Sequence, residues 1–347
     1  MQIPNLKLVF VLFGLMITQL CFAQYQIQVL DSNTFNLGEG VVLSKTSFRG
    51  LSVVDDNTIW VSGSRGTFAR STDGGKTFTY TQLKGYEKSD FRDIEAFDDK
   101  RAVMMSSGTP AYILKTTNGG VTWKEVYKNL DSAYFLDAMD FWDEQRGIIV
   151  GDPINGHFVL FETNNGGETW QELDTNKTPR AIAGEAVFAA SGTSLRCWGR
   201  NESGFVTGGM ASRFIDFKNY SNKSFFPDIN SGTSSSGIFS FTVHFNNIIG
   251  IGGDYMNEKK MFRNYFLLNQ NDNKIITRET PYYFSCIESI DIDKLIMTGT
   301  SGTFIDDIGV KDFSKTNEIP FHVVRKAKNG KAVFLAGPRG RIGRLID

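Results

Sequence analysis

Eight residues in this chain have the types and positions to build one site: Arg49, Arg92, Asp152, Arg180, Glu185, Asp254, Tyr255 and His322. Arginine presents a planar fork of N–H donors and grips carboxylates or phosphates two bonds at a time. Carboxylates such as Asp152, Glu185 and Asp254 can exchange protons with a substrate when their surroundings raise one pKa. The commoner task of an Asp just after a strand is to cap the turn that follows. Other chemistries lack parts. Three histidines and three cysteines leave little for a His/Cys metal centre and exclude a disulfide scaffold. No Gly-x-Gly-x-x-Gly joins a strand to a helix and no Cys-x-x-Cys occurs, so the residues give no dinucleotide or dithiol redox centre. We therefore expect no cofactor and no metal, and assign no catalytic residue.

The elements that must hold these residues are short strands. The chain has 347 residues with 35 Gly, 8 Pro and 29 Phe, and a net charge of −1. Near-neutrality argues against nucleic-acid binding through an overall field. Three octapeptides repeat at a period of about 46 residues: Ser71 to Phe78, Thr116 to Trp123 and Thr163 to Trp170. Each has the form [Ser/Thr]-x-[Asp/Asn]-x-Gly-x-Thr-[Trp/Phe]. The defining residues are Ser71, Asp73, Gly75, Thr77 and Phe78, then Thr116, Asn118, Gly120, Thr122 and Trp123, then Thr163, Asn165, Gly167, Thr169 and Trp170. Asp or Asn accepts bonds from the backbone just ahead, Gly takes positive φ, and the aromatic ring tucks between sheets. The role is structural.

Alternating β-branched and aromatic runs around these turns read as strands, and no helical period is sustained. Units open near residues 48, 91, 135, 184, 237, 283 and 321, each about the length of a four-stranded propeller blade. The prediction is an all-β, single seven-bladed β-propeller over residues 24–347. The last unit stops one strand short, and Tyr25–Leu30 is an orphan strand. It is expected to close the ring and remove the open edge. Asn219 to Gly237 and Asn257 to Asn273 read as polar loops.

Residues 1–23 pair Lys7 with an apolar run from Leu8 to Leu20 and end in Cys21-Phe22-Ala23. This is the layout of a signal peptide cut after Ala23, which predicts a secreted or periplasmic protein. The run is shorter than the roughly 20 residues a spanning helix needs. Cys197 and Cys286 then remain, expected as two separate buried thiols.

In a blade, the start of the first strand and the end of the second share one rim. Arg49 and Arg92 start first strands, whereas Asp152, Asp254 and Tyr255 follow second strands. With Arg180, Glu185 and His322 they should gather at one channel mouth, and the repeated turns should lie at the other.

Several phrases carry a family likeness: Phe48-Arg-Gly-Leu51, Val150-Gly-Asp-Pro153 running into Phe158, Gly184-Glu-Ala-Val-Phe-Ala-Ala-Ser-Gly-Thr-Ser194, Gly252-Gly-Asp-Tyr255 and Gly337-Pro-Arg-Gly-Arg-Ile-Gly-Arg-Leu345. Together with the Asp-box form of the octapeptides, they resemble the photosystem II stability and assembly factors, seven-bladed BNR/Asp-box propellers. They resemble still more an exported bacterial subgroup often labelled oxidoreductase, a label with no cofactor motif behind it here. The resemblance implies a non-catalytic scaffold for a protein partner, with Arg49, Arg92 and Arg180 matching an arginine-lined contact surface. The chain is expected to be a monomer. The alternative is a carbohydrate-active propeller, a sialidase-like hydrolase or glycan binder. Sialidases need three arginines, a Tyr–Glu nucleophile and an acid, and the Arg-Ile-Pro form expected near their N-terminus is replaced here by Arg49-Gly-Leu.

Overall fold

The computed structural model describes residues 25–308 and 313–346. The proposed leader, residues 1–23, lies outside the described residues. Seven sheets follow one another along the chain, and the innermost strand of each touches the innermost strand of the next. These inner strands are Phe48–Val53, Asp90–Ala96, Leu136–Phe141, Leu195–Trp198, Ser236–His244, Cys286–Ser289 and Val323–Lys326. The last packs on the first, so the ring is closed: a seven-bladed β-propeller, blades 1 to 7 in that order. Among the described residues, helix is confined to three one-turn 3-10 segments.

Closure is made by the N-terminal strand. Gln26–Val29 pairs antiparallel with Ile342–Ile346 as the outermost strand of blade 7, with Gln26 opposite Ile346 and Val29 opposite Gly343. Ile27 points inward and is buried. The next segment, Phe35–Leu37, pairs in parallel with Phe78–Gln82 on the outside of blade 1. One stretch of chain thus clasps both sides of the ring seam.

The core lies between blades. Trp60 and Phe68 of blade 1 share a cluster with Phe91, Ile94, Met104 and Leu114 of blade 2. Blades 2 and 3, 3 and 4, 4 and 5, and 5 and 6 each meet in a similar cluster. The three repeated turns serve these seams. In each, the hydroxyl of Ser71, Thr116 or Thr163 accepts from the N–H of Gly75, Gly120 or Gly167 at 3.0 Å. Asp73, Asn118 and Asn165 accept from the N–H of Thr77, Thr122 and Thr169, again at 3.0 Å. The glycine has φ of +80°, +83° or +81° and sits flat on the preceding blade: Gly75 on Phe334, Gly120 on Phe68 and Trp60, Gly167 on Val103. Trp123 crosses the same seam, edge-on to Phe68 at 5.3 Å and to Trp60 at 6.2 Å.

Three expectations need correction. The fourth blade opens at Leu195–Trp198, not at Glu185–Ser191. Glu185–Ala186 is a two-residue strand on Gly208–Gly209, which in turn meets Gly237 at the edge of the blade 5 sheet. The residues after it leave the sheet because side chains, rather than a strand, satisfy their backbone, as described below. The two presumed loops carry strands: Ser221–Phe225 is the outermost strand of blade 4, and Phe262–Asn269 is the third strand of blade 5, followed just past the second presumed loop by the outermost strand Ile275–Thr280. An outer strand has one solvated face and can form from polar sequence. Cys197 and Cys286 are unpaired, as expected, but Cys197 is only half-buried.

Candidate functional site

The upper mouth is the rim where first strands begin and second strands end. It is closed by a plug, residues 184–194. The plug turns at Gly184 and Gly192, whose φ values are +76° and +66°. Three side chains from three blades take up its backbone. Arg49 Nη1 donates to the Ala190 carbonyl at 3.0 Å, and Arg92 Nη1 donates to the Ala189 carbonyl at 3.4 Å. Asp152 Oδ1 accepts from the Val187 N–H at 3.0 Å. Asp137, buried on the first strand of blade 3 near the charge of Arg92, makes no hydrogen bond through either carboxylate oxygen. Further along, the Ser191 hydroxyl donates to the Ser285 carbonyl at 2.7 Å, and Thr193 Oγ1 donates to Ser240 Oγ at 2.6 Å. Phe188 stacks on Phe239 at 4.2 Å.

Electrostatics follow from this crowding. Burial pushes the Asp152 carboxyl up to about 6, with the Val187 N–H opposing. Burial, then repulsion from nearby Asp152, drives Asp137 well above the usual carboxylate range. His322 is held down to about 3 by burial and by the charges of Arg49, Arg92 and Arg341, so its ring is neutral. Burial and the neighbouring Arg92 also lower the pKa of Arg49. Arg92 keeps a 2.8 Å pair with Asp90. Burial raises the Tyr283 phenol, and its neighbours include Arg49, Glu258 and Tyr255.

The eight residues picked from sequence therefore divide. Arg49, Arg92 and His322 share one electrostatic neighbourhood at the mouth, Asp152 holds the plug, and Tyr255 stands edge-on to Phe188 at 6.3 Å. Glu185 does not face the channel: it forms a buried pair with Arg213 at 2.7 Å and accepts from Thr207 and the Ile182 N–H. Asp254 caps its turn, accepting from the Met256 N–H at 2.9 Å and from Asn257 Nδ2 at 2.8 Å. Burial alone would raise its pKa, but the donors of Asn257, Ser235 and Met256 hold it below the usual range. Arg180 is exposed and lends only its carbonyl to Arg213.

Sequence reasoning passed over Arg339, Arg341 and Tyr283. The rule that residues after second strands reach this rim also covers Arg339 and Arg341, which follow Val333–Ala336. Arg341 donates to the Pro320 carbonyl at 2.9 Å. The mouth is thus basic beside blades 7, 1 and 2. Beside blades 4 and 5 it is apolar, where Ile182, Met210, Tyr255, Met256 and Met261 are exposed on rim loops. Among the described residues, no three His, Cys, Asp or Glu side chains are grouped to hold a metal ion. No described helix is long and apolar enough to cross a membrane.

No family profile and no curated protein sequence matches this chain. Solved structures do. YCF48 bound to D1 peptide aligns over 94% of this chain and 96% of its own, at 11% identity and a TM-score of 0.64. YCF48 from Cyanidioschyzon merolae aligns over 92% and 98%, at 14% identity and 0.57. A catalytically inactive virginiamycin B lyase from Staphylococcus aureus, with quinupristin, aligns over 93% and 100%, at 12% identity and 0.64. At these identities the likeness is one of fold: all three are similar rings.

Proposed function

We propose that this chain is an exported, non-catalytic β-propeller scaffold that binds a protein partner at the upper mouth, in the manner of BNR/Asp-box assembly-factor propellers. The observation that carries this reading is the pair Arg49 and Arg92. Plug carbonyls orient both side chains, and each keeps donors beyond those it spends on the plug. A guanidinium fixed in place loses less entropy on gripping a carboxylate than a free one does. The exposed Met and Tyr side chains on the facing rim offer adaptable apolar contact. Together they suit a peptide with an acidic group beside apolar residues. That YCF48 has been captured with a peptide supports the same use of a similar ring. A non-catalytic role is supported by Glu185 and Asp254, whose oxygens serve Arg213 and a turn rather than a substrate.

The test is affinity capture from the native host with wild-type protein and an Arg49→Ala/Arg92→Ala variant, each checked for an intact melting transition. One partner lost selectively with the variant supports the reading. An unchanged partner set refutes the mouth as the binding surface. Turnover of aryl glycosides that Asp254→Asn abolishes would favour the carbohydrate-active alternative.

A further inference from the structure

The opposite mouth of the channel has no part in that reading. It is formed where the first strands end, and it holds a cavity of about 300 Å³. Four cations line it, Arg196, Arg325, Lys326 and Lys328, against two carboxylates, Asp140 and Glu288. Glu95, buried just behind, pairs with Arg325 at 2.7 Å and also with Lys328. Counting Glu95, positive charge still exceeds negative by one.

The partnerships leave specific donors over. Arg196 Nη2 is 2.9 Å from Glu288, and its Nε donates to the Phe241 carbonyl at 3.1 Å. Lys326 spends one donor on the Ile290 carbonyl at 2.7 Å. Arg325 is the telling case. Its side chain is 8% exposed, its Nε donates to the Leu51 carbonyl and its Nη2 to Glu95. Its Nη1 has no hydrogen-bond partner, and the Glu288 carboxylate lies 4.0 Å away. A buried charged donor left unmet is costly, more so than an ordinary missing bond. The cavity beside it is at the lower end of the size range of small-ligand pockets, and an anion seated there would offset the charge of Arg325 without touching Nη1, which is sealed from solvent.

We propose that the lower mouth is a binding site for a small oxyanion, a carboxylate or phosphate group gripped by Arg196, Lys326 and Lys328, with the charge of Arg325 behind them. Arg325 comes from blade 7 and Arg196 from blade 4, so the bound anion would bridge opposite sides of the ring. The site is separate from the plugged mouth and does not depend on the partner proposed there.

The experiment is calorimetric titration of the purified protein at low ionic strength, with inorganic phosphate in one arm and succinate in another. Saturable one-to-one binding of either ligand is expected. Phosphate alone assigns a phosphoryl ligand, and succinate alone a carboxylate. Lys326→Gln and Lys328→Gln should each weaken binding about tenfold. Arg325→Met, which removes the charge behind the site, should also weaken it if the fold survives, and the two lysine variants carry the test if it does not. Arg92→Ala, at the other mouth, should leave it unchanged. Absence of heat in both arms, or binding indifferent to both lysine variants, overturns the proposal.

Discussion

Gly192→Ala is the sharpest probe of the plug. Gly192 has φ +66°, and a Cβ there would lie 2.7 Å from Asp93 Oδ2 and closer still to Oδ1. The Asp93 carboxylate is buried and cannot swing aside, because it accepts from the Ile94 N–H at 2.8 Å and the Met139 N–H at 2.7 Å. Two costs add. Placing Ala in the left-handed region costs about 1–2 kcal/mol. Forcing a methyl into a filled core costs about 1–3 kcal/mol more. Gly156→Ala isolates the first cost, since Gly156 has φ +79° with nothing within 4 Å of its added Cβ. At roughly 2 °C per kcal/mol for a chain of this size, Gly192→Ala should lower Tm by about 4–10 °C and Gly156→Ala by about 2–4 °C. Differential scanning calorimetry reads both. Equal shifts in the two variants would refute a plug seated against Asp93.

Glu185→Gln strips the buried Arg213 guanidinium of its counter-charge, and such broken pairs cost about 3–5 kcal/mol; denaturation of the variant should show it, and a near-wild-type midpoint would contradict the buried pair. Deleting residues 24–32 exposes the edge of Ile342–Ile346 and removes buried Ile27, so Tm should fall clearly, and an unchanged Tm would refute closure by the N-terminal strand. The pH response has opposite signs at two groups. Asp152 titrates near 6 when folded and at the ordinary carboxylate value when unfolded, so the folded state binds the extra proton and Asp152 adds stability as pH falls through 6. His322 titrates near 3 when folded and at 6.5 when unfolded, so its contribution is lost as pH falls from about 6.5 toward 3. Relative to wild type, melting curves of Asp152→Asn should lose stability toward acid and those of His322→Phe should gain it; identical pH profiles would contradict both placements.

The ring itself was readable because its cause is local and repeated. A turn that needs Asp or Asn, a positive-φ Gly and an aromatic residue at fixed offsets leaves the same trace three times, and each trace marks a seam with the preceding blade. Arg49 and Arg92 were readable from topology, since antiparallel strands fix which ends share a rim. The plug was not. Ala189 and Ala190 look like the interior of a strand, and nothing local reveals that Arg92 and Arg49, about 100 residues or more away, take up their carbonyls. Glu185 misled for the same reason, because its partner Arg213 lies in the next blade. The cations of the lower mouth stand on the first strands of two blades, 4 and 7, and on the turn that follows one of them, with no shared motif to tie them together.

The central claim is that a peptide seats on the plugged mouth, and hydrogen exchange with and without the captured partner tests it most directly. The account predicts added protection in residues 184–194, at the strand starts that carry Arg49 and Arg92, and in the rim loops that carry Tyr255 and Arg341. Protection confined to the outer strands or the lower mouth, with residues 184–194 unchanged, would contradict it.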